Sequence, residues 1–373
     1  MTIPFDNTEY DAHENVVFCC DAETGLRAII AIHDTTLGPA AGGCRMWPYS
    51  SATEALTDVL RLSRAMTYKN ALAGLPLGGG KSVIIGNAQT QKTPKLLAAF
   101  ARHVEMLGGR YWTAEDVGIG TRDVEEGFAR GTKYIFGLTR HTGDPAPFTA
   151  RGGFEGMRAA VEHKLGRKSL SGLRVAVQGV GNVGSELCRL LQEAGASLVV
   201  SDVNQAAVQR AVEAFGAHPV DPDAIYDADV DVFAPCALGG VINDATIPRL
   251  RATVVSGVAN NQLAHARHGR ELHARGVLYA PDFLVNAGGM HNASGDILGR
   301  YDPKDAMRRV VHIYEVARET FARAAATGRP PETVAEELAR QRISEAKAAA
   351  TRTRTEAVRS EAVSGTGTRS TAK

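Results

Sequence analysis

Arg174-Val175-Ala176-Val177-Gln178-Gly179-Val180-Gly181-Asn182-Val183-Gly184 is a short β-run that breaks directly into a glycine-rich turn. Helical spacing follows from Val183 to Ala194, and a second β-run, Leu198 to Ser201, ends at Asp202, 23 positions after Gly179. A lone Gly-x-Gly-x-x-Gly hexapeptide carries little weight. Between a strand and a helix, with an acid at the end of the next strand, it is the fingerprint of dinucleotide binding. Gly179 allows the tight turn, Gly181 lets a pyrophosphate approach the backbone, and Gly184 lets the helix pack on the strand. The helix N-terminus attracts the phosphates. Asp202 is positioned to accept hydrogen bonds from ribose hydroxyls and to repel a 2′-phosphate, which favours NAD over NADP.

Working outward, β-runs at Val230 to Phe233, Val254 to Gly257 and Val277 to Tyr279 continue the pattern of a doubly wound parallel sheet. From Lys304 to Ala326, the apolar residues Met307, Val310, Val311, Tyr314, Ala317 and Phe321 mark one long amphipathic helix, ended by Gly328 and Pro330-Pro331. Glu332 to Ala349 reads as a last helix. The Thr-, Ser-, Arg- and Gly-rich tail at 351–373 has too few apolar residues to stay ordered alone.

The first half has a different grain. Val16 to Cys20 and Leu26 to His33 read as strands around a turn, and Leu37 to Arg45 is rich in glycine and alanine. Ser51-Ala52-Thr53-Glu54 forms a capping box, and the helix it opens delivers Met66 and Lys69. A loop carrying Gly78, Gly79 and Gly80 is expected next, then Lys81 and a short strand from Ser82 to Ile85. Leu75 stands where a phosphate-binding P-loop needs glycine, so that motif is excluded. Two lysines flanking bare backbone suit a small carboxylate ligand; taken alone, Gly-Gly-Gly-Lys reads rather as a flexible loop with a solvated lysine. After a helix at Lys95 to Leu107, Glu115-Asp116 lies between Trp112 and Gly118, as a helix N-cap or as a general base.

With 373 residues and 44% hydrophobic residues, the chain can build two domains with their own cores. A formal net charge of +1 gives no basic face for nucleic acid, and no apolar run is long enough to span a membrane. A polar, acidic N-terminus, unlike a signal peptide, and five cysteines without a Cys-x-x-Cys pair point to reduced thiols and a cytoplasmic protein. His265, His268 and His273 lie in a strongly polar stretch and read as a solvated helix face, so no metal is expected.

Taken together, Leu37 to Met46, Met66 to Ile85, Thr113 to Gly118, Gly179 to Gly184, Ala234-Pro235-Cys236-Ala237-Leu238-Gly239, Ala259-Asn260-Asn261-Gln262-Leu263, and Tyr279-Ala280-Pro281-Asp282 through Asn286-Ala287-Gly288-Gly289 resemble the leucine, valine and phenylalanine dehydrogenases of the glutamate dehydrogenase superfamily, the leucine enzymes most closely. The resemblance spans residues 14 to 346. It implies an α/β protein of two domains with a cleft between them. Residues 1–145 would form the substrate and oligomerisation domain, joined by the C-terminal helix at 327–350, and 146–326 the Rossmann-type NAD domain. The implied reaction is reversible oxidative deamination of an L-amino acid to a 2-oxo acid and ammonia, with NAD accepting hydride, in a homo-oligomer of eight subunits or fewer.

On the same resemblance, Lys69 binds the substrate carboxylate, Lys81 is the catalytic lysine and Asp116 moves protons to and from the amino group. Gly42, Gly43, Met66, Ala114 and Asn261 border the substrate. Thr149, Asn260, Val180, Asn182 and Val183 join the fingerprint glycines on the cofactor side. Glutamate enzymes carry a lysine where this chain has Ala41, so an apolar side chain is expected. Ala41 and Ala293 enlarge its pocket and Met290 partly refills it. A branched-chain substrate is favoured, with phenylalanine or another aromatic as the alternative. His291 to Asp296 departs from the usual branched-chain sequence. A dinucleotide-binding sensor without catalysis would have no use for Lys69, Lys81 and Asp116 together.

Overall fold

Strands β1 (Asn15–Asp21) and β2 (Leu26–Asp34) form the expected antiparallel hairpin, in a computed structural model that describes residues 4–364. Along β2 the side chains alternate between faces: Ile29 and Ala31 pack on one helix, and Ala28, Ile30 and Ile32 pack in the core of another. After β3 (Ala40–Ala41) and β4 (Cys44–Trp47), the first of these helices, α1 (Ala52–Leu72), covers one face. Strand β5 (Gly78–Ile85) and helix α2 (Pro94–Glu105) on the other face follow, and then β6 (Tyr111–Trp112). The sheet runs β1-β2-β5-β3-β6, with β4 continuing along β5 beyond β3.

Two local expectations are modified here. Ser51 caps α1, its Oγ accepting from the Glu54 N–H at 3.1 Å, but the Glu54 carboxylate reaches past the cap to the Ser50 N–H at 2.7 Å. The capping box is therefore displaced by one residue. Gly78, Gly79 and Gly80 are not in a loop. They begin β5, because a strand without side chains lets α1 come close: a Cβ on Gly79 would lie 2.1 Å from the Thr67 backbone N.

Beyond a short helix, α3 (Thr139–Thr142), the chain enters α4 (Ala146–Leu165) and the second sheet. There β7 (Arg174–Gln178), α5 (Asn182–Glu193), β8 (Ser197–Ser201), α6 (Gln205–Phe215) and β9 (His218–Pro219) succeed one another. Strands β10 (Val232–Pro235) and β11 (Val254–Val255), helix α7 (Arg267–Ala274) and strand β12 (Leu278–Tyr279) complete it. All neighbours are parallel in the order β12-β11-β10-β7-β8-β9. This is the strand order of the doubly wound dinucleotide-binding fold, with its switch point between β7 and β10.

The C-terminal helices α8 (Asp282–Val285), α9 (Gly288–Leu298), α10 (Pro303–Val311), α11 (Ile313–Thr327) and α12 (Pro331–Ser364) close the fold. The single helix expected over 304–326 is broken at His312, whose N–H bonds the Arg309 carbonyl three residues back. The break lies in the hydrogen bonding and leaves the apolar period intact. Helix α12 runs past residue 351 to Ser364, so the expected disordered tail starts as helix; Ala-, Glu- and Lys-rich residues 345–350 are strong helix formers. Residues 365–373 lie outside the described part. Val334, Ala335, Leu338 and Ala339 of α12 share a core with Tyr68, Ala71 and Leu72 of α1. The last helix thus returns to the first half of the chain.

Candidate active site

A cleft of about 500 Å³ opens between the two sheets. Helix α1 brings Met66 and Lys69 to it one turn apart, and β5 brings Lys81. The Lys81 Nζ lies 2.9 Å from Asp116 Oδ2. Asp116 itself sits in a tight backbone bridge with Ile119, each accepting the other's N–H, and caps no helix. Of the two readings open for this residue, the N-cap is thereby removed. Gly43 lines the cleft against the Glu115 carbonyl, where a Cβ would meet that oxygen at 2.1 Å.

Burial raises the Asp116 pKa, but Lys81 and Arg45 outweigh it and hold the carboxyl down to about 2. Lys69 is in the opposite situation. Among the described residues its ammonium has no hydrogen bond or ion pair. Burial lowers its pKa to about 8, with nearby Lys81 adding to the fall and Asp282 and Asp116 opposing it. An ammonium at the cleft wall with no hydrogen-bonded partner among the described residues is well prepared to receive a carboxylate.

The other end of the cleft is apolar. Met290 and Ala293 of α9 line it with Met66, Ala114 and Phe136. Ala41, Leu75 and Leu77 belong to the same apolar cluster. Ala41 is fully buried and backs this wall without facing the opening, and Gly42 is turned toward the Gly80 carbonyl.

On the dinucleotide side, Val183, Thr149, Asn260 and Asn261 reach the cleft. The Thr149 hydroxyl donates to the Pro145 carbonyl at 3.1 Å. Asn261 has a left-handed backbone, φ +52°. Gly179, Val180 and Gly181 form the turn between β7 and α5, Asn182 and Gly184 lie in the first turn of α5, and none of the five lines the cleft. No side chain caps α5, so its first N–H groups are open, and the space a Gly181 Cβ would point into is empty. The Asn286 Oδ1, buried at the cleft, has no hydrogen-bond partner. An open cradle of amides and an orphaned acceptor suited to a carboxamide fit a nicotinamide dinucleotide. Asp202 directly follows β8, as expected, and its carboxylate accepts from the Val180 and Asn204 N–H groups, both at 2.9 Å.

Sequence reasoning missed three residues. Arg45 bridges Asp116 and Asp58. Asp282 lines the cleft near Lys69 and accepts from the Gln262 N–H at 2.8 Å, bracing the Asn260–Asn261 loop. Asn286 is the third. All lay inside the quoted motifs, but nothing in their spacing distinguished them. The histidine stretch also differs from expectation: His268 is buried, its Nε2 3.2 Å from Asp244, while His265 and His273 are exposed. Helix α7 packs that one ring inward. Among the described residues, no helix is long and apolar enough to cross a membrane.

Residues 13–130 match the family described as Glu/Leu/Phe/Val dehydrogenase, dimerisation domain, and residues 144–211 and 203–351 match Glutamate/Leucine/Phenylalanine/Valine dehydrogenase. Leucine dehydrogenase of Geobacillus stearothermophilus is 51% identical over 337 residues, 90% of this chain and 91% of its own. L-tryptophan dehydrogenase of Nostoc punctiforme is 46% identical over 92% of this chain and 97% of its own, and the crystal structure of that enzyme superimposes with a TM-score of 0.80 over 90% of this chain and 97% of that one, at 45% identity. A hetero-hexameric glutamate dehydrogenase from Thermus thermophilus, 22% identical, shares the fold with a TM-score of 0.68 over 89% of this chain and 88% of that one.

Proposed function

The chain belongs to the Glu/Leu/Phe/Val dehydrogenases and is an amino-acid dehydrogenase, and we propose that it oxidatively deaminates an apolar L-amino acid with NAD, reversibly, giving the 2-oxo acid, ammonia and NADH. One observation carries this reading: the unpartnered Lys69 ammonium faces the same cleft as the Lys81–Asp116 pair, between an apolar pocket and an open dinucleotide cradle. Lys69 pairs with the substrate carboxylate and so fixes Cα. The substrate's side chain then falls among Ala114, Met290 and Ala293. The side chains there are apolar, and Ala41 behind them stands where the glutamate enzymes carry a lysine, which disfavours glutamate.

NAD, when bound, supplies the hydride acceptor. Asp116 takes the proton that must leave the amino group before Cα can give up hydride, and Lys81 removes a proton from the water that attacks the resulting imine. Asp116 returns the proton to the departing nitrogen, which leaves as ammonia while the added hydroxyl gives its remaining proton back to Asp116 and becomes the 2-oxo carbonyl. Closure of the cleft would exclude bulk water during these steps. We assign residues 1–145 with 327–350 to the substrate and oligomerisation domain and 146–326 to the NAD domain, and the assembly to a homo-oligomer of eight subunits or fewer in the cytoplasm.

Leucine or another branched-chain substrate is the preferred reading, with Met290 filling the space that Ala293 leaves. An aromatic substrate is the alternative, since Ala293 leaves room for a ring if Met290 moves aside. NADH formation from NAD with L-leucine, L-valine, L-phenylalanine, L-tryptophan and L-glutamate, compared as kcat/KM, tests both. One methylene is worth only about 1–3 kcal/mol, so the apolar substrates will overlap. A lead for phenylalanine or tryptophan would replace the branched-chain reading, and no turnover with NAD bound would replace the enzymatic one.

A further inference from the structure

We infer that Arg45, Asp58 and Tyr49 form a positioning relay that anchors one oxygen of Asp116 throughout turnover and leaves the other to work on the substrate amine. The inference rests on the proposed role of Asp116 in proton transfer. Its basis is a chain of short contacts drawn from three separate segments. Arg45 Nε, from β4, lies 3.1 Å from Asp116 Oδ2, the same atom that Lys81 approaches to 2.9 Å. The Arg45 guanidinium is pinned in turn, because its Nη1 donates to Asp58 Oδ2 of α1 at 2.9 Å. The Tyr49 hydroxyl donates to that Asp58 oxygen at 2.7 Å, and Arg61 holds the other oxygen at 3.0 Å. Arg45 and Asp58 are largely buried, with side-chain exposures of 17% and 12%.

The arrangement solves a specific difficulty. If Lys81 gives and takes a proton during the cycle, it cannot be a constant counter-ion for Asp116. An arginine does not titrate in this range, and its planar fork holds two carboxylates in a fixed relation that a lysine cannot reproduce. Arg45 therefore keeps Asp116 oriented while the charge on Lys81 changes. Asp58 belongs to the helix that carries Lys69 three turns further on, so the relay also ties the proton-transfer carboxylate to the element that reads the substrate carboxylate. None of the three relay residues needs to touch the substrate. Their effect belongs in kcat.

The experiment compares Arg45→Ala, Asp58→Asn and Asp116→Asn in oxidative deamination by the full chain, on whichever amino acid the wild type turns over best. Arg45→Ala is expected to lower kcat by about a hundredfold, the usual cost of misplacing a reacting group by an ångström. KM for the amino acid and for NAD should stay within a few-fold. Asp58→Asn keeps the side-chain volume and should lower kcat in the same direction but less. Added guanidinium ion at millimolar concentration should partly restore Arg45→Ala and leave Asp116→Asn unchanged, a response that a loss of structure would not give. If Arg45→Ala does not fold, Asp58→Asn decides alone. Wild-type kcat in either folded relay variant, or a change confined to KM, overturns the relay. An active Asp116→Asn enzyme overturns the underlying role of Asp116 instead.

Discussion

Lys81 Nζ and Asp116 Oδ2 stand 2.9 Å apart at the meeting point of β5 and the 113–118 loop, and they are the two groups to which the proposed mechanism gives the proton transfers. Burial alone would push Asp116 up; Lys81 and Arg45 bring it down to about 2, so it is ionised at any pH at which the enzyme would work.

The proposed role of Lys69 makes substrate binding dependent on pH in a definite direction. Its pKa is lowered to about 8, chiefly by burial, so the charged form that binds a carboxylate is present below about 8 and is lost as pH rises above it. Equilibrium binding of a 2-oxo acid to the enzyme saturated with NADH should weaken by up to about tenfold per pH unit beyond that point. The 2-oxo acid is the right probe because it has no amine to titrate. Lys69→Met should weaken binding by about 1.5–3 kcal/mol at neutral pH and flatten the profile. A profile with the same slope in the variant would remove Lys69 from carboxylate recognition.

Asp202 closes the strand after the glycine turn and receives the Val180 N–H. Asp202→Ala should narrow the preference for NAD over NADP, read as the ratio of kcat/KM with the two cofactors. An unchanged ratio would mean that the carboxylate serves only to brace the turn.

Glu332, in the first turn of α12, has both carboxylate oxygens buried without a partner, in the space opened by Gly269. Burial raises its pKa from 4.5 to about 7. The folded state therefore prefers the protonated acid: its favourable contribution is complete below the unfolded value and is lost as pH rises through about 7, at a cost of about 1–3 kcal/mol. Glu332→Gln should raise Tm by a few degrees at about pH 8 and change it little at about pH 5. Equal shifts at both would show that ionisation of Glu332 is not the cause.

How far the sequence could be read follows from which contacts are local. The glycine turn and Asp202 stand within one strand-helix-strand unit, and the parallel sheet around them is legible from there. Gly78 to Gly80 mislead, because glycine reads as loop until Thr67, eleven or more residues earlier, is known to press against the strand. Arg45 was passed over for a similar reason: its partners, Asp58 and Asp116, come from another helix and another loop. His312 breaks a helix without disturbing its apolar period, and the continuation of α12 to Ser364 rests on helix propensity that composition obscured.

The most direct test sets wild type beside Lys81→Ala, measuring NADH formation from NAD and the preferred amino acid together with NAD binding. Deamination by the wild type, with turnover abolished and NAD binding retained in the variant, is the predicted result. A Lys81→Ala enzyme that still releases ammonia and NADH would contradict the account.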